Sequence, residues 1–160
     1  GVAPAISAAA LAVFAGVKRR LELLGNPGGV AVYDDFAHRP TAIATTLQGL
    51  RARAGGGRVI ALIEPRSNTM RMGEHRGQLT AATAAADRIF WFQPAGLDWS
   101  LESLVADSTV AATTANDIDA LVLQVAGEVQ AGDQVVIMSN GGFGGIHQKL
   151  LAQLQEASSV

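Results

Sequence analysis

Short polar segments hold most of the chemistry this chain could perform. In Asp34-Asp35-Phe36-Ala37-His38 two adjacent carboxylates stand just ahead of an imidazole. A carboxylate at a strand end in a nucleotide-binding α/β fold commonly accepts from ribose hydroxyls, and a nearby imidazole can donate to a phosphate or acyl-phosphate oxygen. Glu64-Pro65-Arg66-Ser67-Asn68-Thr69 sets a guanidinium in a proline-bounded loop with a hydroxyl and a carboxamide beside it. That grouping suits bidentate capture of a carboxylate or phosphate. In Ser139-Asn140-Gly141-Gly142-Phe143-Gly144-Gly145 the glycines let the backbone approach a ligand and offer amides at a helix N-terminus. Plainer roles compete: one aspartate capping the helix behind Pro40, His38 as a structural imidazole, and Arg66 in a surface salt bridge.

Other chemistry is excluded. The glycine run is not G-x-G-x-x-G, and no G-x-x-x-x-G-K-[ST] occurs anywhere, so the chain supplies no phosphate-cradling loop of its own. His75 and His147 have no partners at metal-ligand spacing and read as solvated or structural, so no metal site is expected. With no cysteine, disulfides, thiolate zinc sites and cysteine nucleophiles drop out, which is compatible with a reducing cytoplasm. A net charge of -2 and a pI near 5.9 argue against nucleic acid as a partner. The longest apolar stretch, from Pro4 to Val17, is alanine-rich, broken by Ser7 and Gly16, and too short for a membrane span; it lacks the cationic start of a signal peptide.

The elements that must position these segments alternate. A chain of 160 residues, 49% apolar and 16% charged, is the size of one packed domain. The spacing predicts an edge strand from Val17 to Leu23, a turn through Gly25-Asn26-Pro27-Gly28-Gly29, and a strand ending at Val32-Tyr33. Pro40 opens a helix that buries Ile43, Leu47 and Leu50. A strand from Arg58 to Ile63, a helix over about 75–86, and strands at 89–92 and 109–111 follow. Asn116 is expected to cap a helix with Ile118, Leu121, Val125 and Val129 on its apolar face. The continuous apolar run from Gln134 to Met138 suits a buried parallel strand, and the last helix carries Ile146, Leu150, Leu151 and Leu154. The pattern is that of a three-layer, Rossmann-like α/β domain with a mainly parallel sheet and a short N-terminal edge hairpin. In such sheets ligands bind beyond the carboxyl ends of the strands, where these segments and Gln93-Pro94-Ala95-Gly96 are expected to converge.

Four motifs together resemble the C-terminal domain of the Mur ligase family: Gly16-Val17-Lys18-Arg19-Arg20-Leu21-Glu22; Tyr33-Asp34-Asp35-Phe36-Ala37-His38 with Pro40; Glu64-Pro65-Arg66-Ser67-Asn68-Thr69-Met70; and the run from Ser139 to His147. The D-x-A-H element is shared with folylpolyglutamate synthetase, and Arg39 stands where a second histidine is expected. The resemblance implies that residues 1–15 end a preceding ATP-binding central domain as a helix and that 16–160 form the C-terminal domain. It implies an ATP-dependent cytoplasmic ligase that activates the carboxylate of UDP-N-acetylmuramate as an acyl phosphate. The acceptor would be the murein tripeptide L-Ala-γ-D-Glu-meso-diaminopimelate, recovered for peptidoglycan recycling. ATP and Mg2+ would be held largely by the central domain, which carries the metal ligands, and the UDP-sugar by the N-terminal domain. Asp35, with Tyr33, is matched to the nucleotide, and His38 to the phosphate side as the catalytic residue. Arg66, Ser67, Asn68, Asn140, Gly141, Gly142 and Phe143 would face the peptide. The alternatives are the L-alanine-adding ligase of the same family and a free-standing, non-catalytic nucleotide-binding module.

Overall fold

A computed structural model describes residues 19–66 and 76–159. Among them the strands are β1 (Glu22–Gly25), β2 (Ala31–Asp35), β3 (Val59–Ile63), β4 (Arg88–Phe92), β5 (Ala111–Ala115) and β6 (Gln134–Met138). The helices are α1 (Pro40–Arg53), α2 (Arg76–Ala82), α3 (Glu102–Ala106), α4 (Ile118–Glu128) and α5 (Ile146–Ala157). The six strands form one sheet in the order β1-β2-β6-β3-β4-β5, with β1 antiparallel to β2 and every other pair parallel. This is the expected three-layer α/β architecture with its edge hairpin.

Burial on both faces explains the apolar runs. Every residue of β3 is buried, and four of the five in β6. Successive side chains alternate between two cores. Val59, Ala61, Ile63, Trp91, Val136 and Met138 pack with Ile43, Leu47 and Leu50 of α1 and Leu79 of α2. Ile60, Leu62, Phe90, Val135 and Ile137 pack on the opposite face with Leu121 and Val125 of α4 and Ile146, Leu150 and Leu154 of α5. Pro40 occupies the first turn of α1, where its missing N–H breaks no helical bond.

Several boundaries differ from expectation. The edge strand starts at Glu22 because Arg19 and Leu21 have φ of 58° and 47°, which bend the chain out of an extended path. Helix α2 stops at Ala82, and i→i−3 turns from Thr83 to Ala86 replace its last turn. The last edge strand lies at Ala111–Ala115, preceded by the short helix α3, which has too few periodic residues to be anticipated. Asp117, rather than Asn116, caps α4, accepting from the Ala120 amide at 2.7 Å. The expected helix over residues 1–15, and with it the boundary at residue 16, lies outside the described residues, as does His75.

Register settles where the loops emerge. Asp35 pairs with Met138, and Met138 with Ile63, so β2, β6 and β3 end abreast. The 36–38, 139–145 and 64–66 segments therefore leave one edge side by side.

Charges away from that edge tie helices to strand starts. Arg88 holds Glu128 through Nε at 2.8 Å, and this hydrogen bond keeps the Glu128 carboxyl below its ordinary value of 4.5. Burial pushes the Asp87 carboxyl up, but hydrogen bonds from Arg51 and the Val59 amide outweigh it and hold Asp87 below 3.8. The folded state thus binds fewer protons than the unfolded chain across this interval. The stability gained is fully present above pH 4.5 and is lost as the pH falls through the lowered folded-state values. Melting temperature measured against pH should fall steeply below that point. Glu128→Gln should flatten part of the fall while costing at most about 1 kcal/mol at neutral pH, because the pair is partly exposed.

Candidate functional site

Asp35 is almost fully buried at the end of β2. Its Oδ2 accepts from the Leu21 amide at 2.7 Å; its Oδ1 accepts from the Ala37 amide at 2.8 Å and the Thr46 hydroxyl at 3.2 Å. A carboxylate offers about four lone-pair directions, so roughly one remains for a ligand. Neither aspartate caps α1, whose N-cap is Arg39 without a side-chain bond. Asp34 instead accepts from Arg19 Nε at 3.1 Å and meets His147 Nε2 at 3.0 Å, which makes His147 the structural residue expected. The Nδ1 of His38 lies 2.9 Å from the Phe36 carbonyl, and the ring stands edge-on to Phe36 with centroids 5.3 Å apart. A carbonyl only accepts, so Nδ1 bears the proton; donation from Nε2 to an anion then requires a second proton.

The other half of the edge comes from β3 and β6. Glu64 is buried, and its Oε2 accepts from the Ser139 hydroxyl at 2.5 Å. Ser139 Oγ accepts in turn from the Gly141 amide at 2.9 Å. Arg66 is exposed and lies across Gly141 so closely that a Cβ there would come within 2.6 Å of its Cδ. Only glycine permits this contact. Among the described residues no carboxylate pairs with Arg66, so the surface salt bridge is not formed there. Before Gly141 in the chain, the Oδ1 of Asn140 is buried with no hydrogen-bond partner among the described residues. A buried, unmet acceptor is costly.

Two sequence-derived assignments are corrected here. The ring of Phe143 does not face the crevice: it is fully buried in the core, 5.4 Å from the Phe92 ring, and its φ of 45° turns the side chain inward beneath the glycine loop. The Tyr33 hydroxyl donates to Gln134 Oε1 at 3.0 Å. Because Gln134 begins β6, that hydroxyl points away from the carboxyl ends, where a nucleotide would lie. Ser67 and Asn68 lie outside the described residues. The Gln93 side chain turns onto the Leu101 amide and the Trp99 carbonyl and lines a separate open cleft of about 550 Å³ at the ends of β4 and β5.

Arg19, Glu64 and Ser139 shape the edge but were not singled out as site residues from sequence. Their roles depend on contacts between positions 75 to 122 residues apart, which no local spacing reveals. Among the described residues no group of histidines and carboxylates could hold a metal ion, and no helix is long and apolar enough to cross a membrane.

The architecture is that of an α/β domain in which the loops after β2, β6 and β3 emerge side by side at one edge. Residues 19–141 match the Mur ligase, glutamate ligase domain, and the chain belongs to this family. It is 50% identical, over its full length, to 35% of the Escherichia coli UDP-N-acetylmuramate–L-alanyl-γ-D-glutamyl-meso-2,6-diaminoheptanedioate ligase. The solved murein peptide ligase of Psychrobacter arcticus is 44% identical with a TM-score of 0.80, over 92% of this chain and 32% of that one. A solved domain of the corresponding Haemophilus ducreyi ligase is 41% identical with a TM-score of 0.72, covering 84% of this chain and 99% of that one. The chain spans about a third of the length of the curated relatives it matches.

The buried contacts predict separable effects. Asp35→Ala strands three donors and should lower stability by about 1–3 kcal/mol, measured by chemical denaturation. Phe143→Ala should cost about 3–5 kcal/mol, whereas Tyr33→Phe, losing one partly buried hydroxyl, should cost about 0.5–1.5 kcal/mol.

Proposed function

We propose that this chain is the C-terminal domain of a cytoplasmic, ATP-dependent ligase that joins UDP-N-acetylmuramate to the tripeptide L-Ala-γ-D-Glu-meso-diaminopimelate in peptidoglycan recycling. The observation that carries the reading is found at one strand edge: an exposed guanidinium, Arg66, with no carboxylate partner among the described residues, lies over Gly141, and the neighbouring residue Asn140 has a buried Oδ1 without a hydrogen-bond partner among them. A peptide with several carboxylates and a zwitterionic third residue needs such a fork donor and acceptor. The names and identities of the E. coli and P. arcticus relatives support the same substrate.

In this reading Asp35 spends its remaining acceptor capacity on a ribose hydroxyl, and His38, with Nδ1 committed to Phe36, presents Nε2 to the phosphate side. ATP supplies the phosphoryl group that activates the sugar carboxylate, with Mg2+ held by residues in the remainder of the longer protein. Arg66, Asn140, Gly141 and Gly142, with Ser67 and Asn68, orient the incoming peptide so that its amine meets that carboxylate. Holding the reactants in register converts a two-body encounter into a positioned one.

The test uses the full-length protein. Arg66→Ala should lower kcat/KM for the tripeptide by about 10- to 100-fold and leave ATP kinetics near wild type. Arg66→Lys should remain impaired, because a point charge cannot replace two planar hydrogen bonds. Wild-type tripeptide kinetics in both variants would overturn the peptide role, and damage to ATP kinetics alone would move Arg66 to the phosphate side. The 160-residue chain by itself should form no product, since it contains no phosphate-cradling G-x-x-x-x-G-K-[ST] loop.

A further inference from the structure

One residue binds both halves of the edge. Arg19 Nε donates to Asp34 Oδ2 at 3.1 Å, while its Nη2 donates to the carbonyls of Ser139 at 2.6 Å and Gly141 at 2.8 Å. Its guanidinium carbon stands 5.3 Å from the Phe36 ring centroid, within cation–π range. The backbone is fastened as well: the Arg19 carbonyl accepts from the Phe36 amide at 2.7 Å, and the Arg19 amide donates to Glu22 Oε2 at 3.0 Å. Arg19 keeps a φ of 58°, a region uncommon for a residue with a Cβ, and persists there because its surroundings over-determine it.

These contacts have a directional consequence. Asp34 and Phe36 flank Asp35 on the segment assigned to the nucleotide, and Gly141 lies under Arg66 on the segment assigned to the peptide. A planar guanidinium cannot follow a shift of one segment without stretching its charge-assisted bonds to the other. We propose that Arg19 is a positioning residue that couples the nucleotide and peptide subsites, so that occupancy of one changes affinity for the other. The inference rests on the proposed ligase reading and adds a link between the two subsites that the reading does not require.

The test is the coupling itself, which is reciprocal by thermodynamic necessity. In the full-length protein, tripeptide affinity is measured by calorimetry with and without a non-hydrolysable ATP analogue. The wild type should show about a tenfold dependence, inside the roughly 5- to 150-fold span of typical couplings. Arg19→Lys keeps the charge but cannot span Asp34 and both carbonyls, and it should bring the factor close to one. Asp34→Asn, which weakens the opposite end of the link, should reduce the factor too and serves as a second variant should Arg19→Lys fail to fold. A wild-type factor of one overturns the proposal. So does a variant that weakens both ligands yet keeps the wild-type factor, since that is the mark of a merely structural residue. Failure of the wild type to bind either ligand would instead refute the ligase reading.

Discussion

The structure depends on one constraint: β6 enters the sheet between β2 and β3, parallel to both, with Met138 level with Asp35 and Ile63. Parallel strands must be joined by crossovers, so their carboxyl ends gather on one side. Three loops from distant parts of the chain are thereby brought side by side, and the proposed site is built on that coincidence. A one-residue slip of β6 would exchange its two faces and remove Val136 and Ile137 from their respective cores. The 0% exposure of Val135, Val136, Ile137 and Met138 shows how tightly register is held.

Upon that frame the loops are held by buried and partly buried hydrogen bonds rather than by apolar packing. Asp35 gathers the Leu21 amide, the Ala37 amide and the Thr46 hydroxyl; Glu64 holds Ser139, which holds the Gly141 amide. Each bond is modest in net energy, but the cost of leaving any member unmet makes the set cooperative. Gly144 completes the floor: at φ 57° with Ile118 Cγ1 2.9 Å from where a Cβ would be, the position tolerates no side chain, which lets Phe143 seal the core underneath. The loops are thus preorganised, with Arg66 exposed and His38 half-buried among them.

Much of this was legible in the sequence, for physical reasons that also explain what was not. Continuous apolar runs in β3 and β6 and helical periodicity in α1 and α5, together with Pro40, located the elements, and the strand-end rule pointed to the edge. Local spacing could not show that Tyr33 reaches back toward Gln134 or that Phe143 falls inward, because both depend on which way a side chain leaves a folded backbone. Asn116 and Asp117 are both good caps, and only the turn of the chain chooses Asp117. The role of Arg19 was hidden most deeply, since its partners lie 15, 120 and 122 residues away. Motif resemblance brought the family into view; the contacts that tie its motifs together came only from the fold.

The claim at the centre of this account is that one edge, formed by β2, β6 and β3, receives both substrates of this domain. Hydrogen–deuterium exchange on the full-length protein measures it most directly, with the tripeptide and a non-hydrolysable ATP analogue added separately. The account predicts that the tripeptide slows exchange at residues 64–66 and 139–145 and that the nucleotide slows it at residues 35–38. Protection by the tripeptide confined to the cleft at the ends of β4 and β5, around residues 93–102 and 114–116, would contradict it.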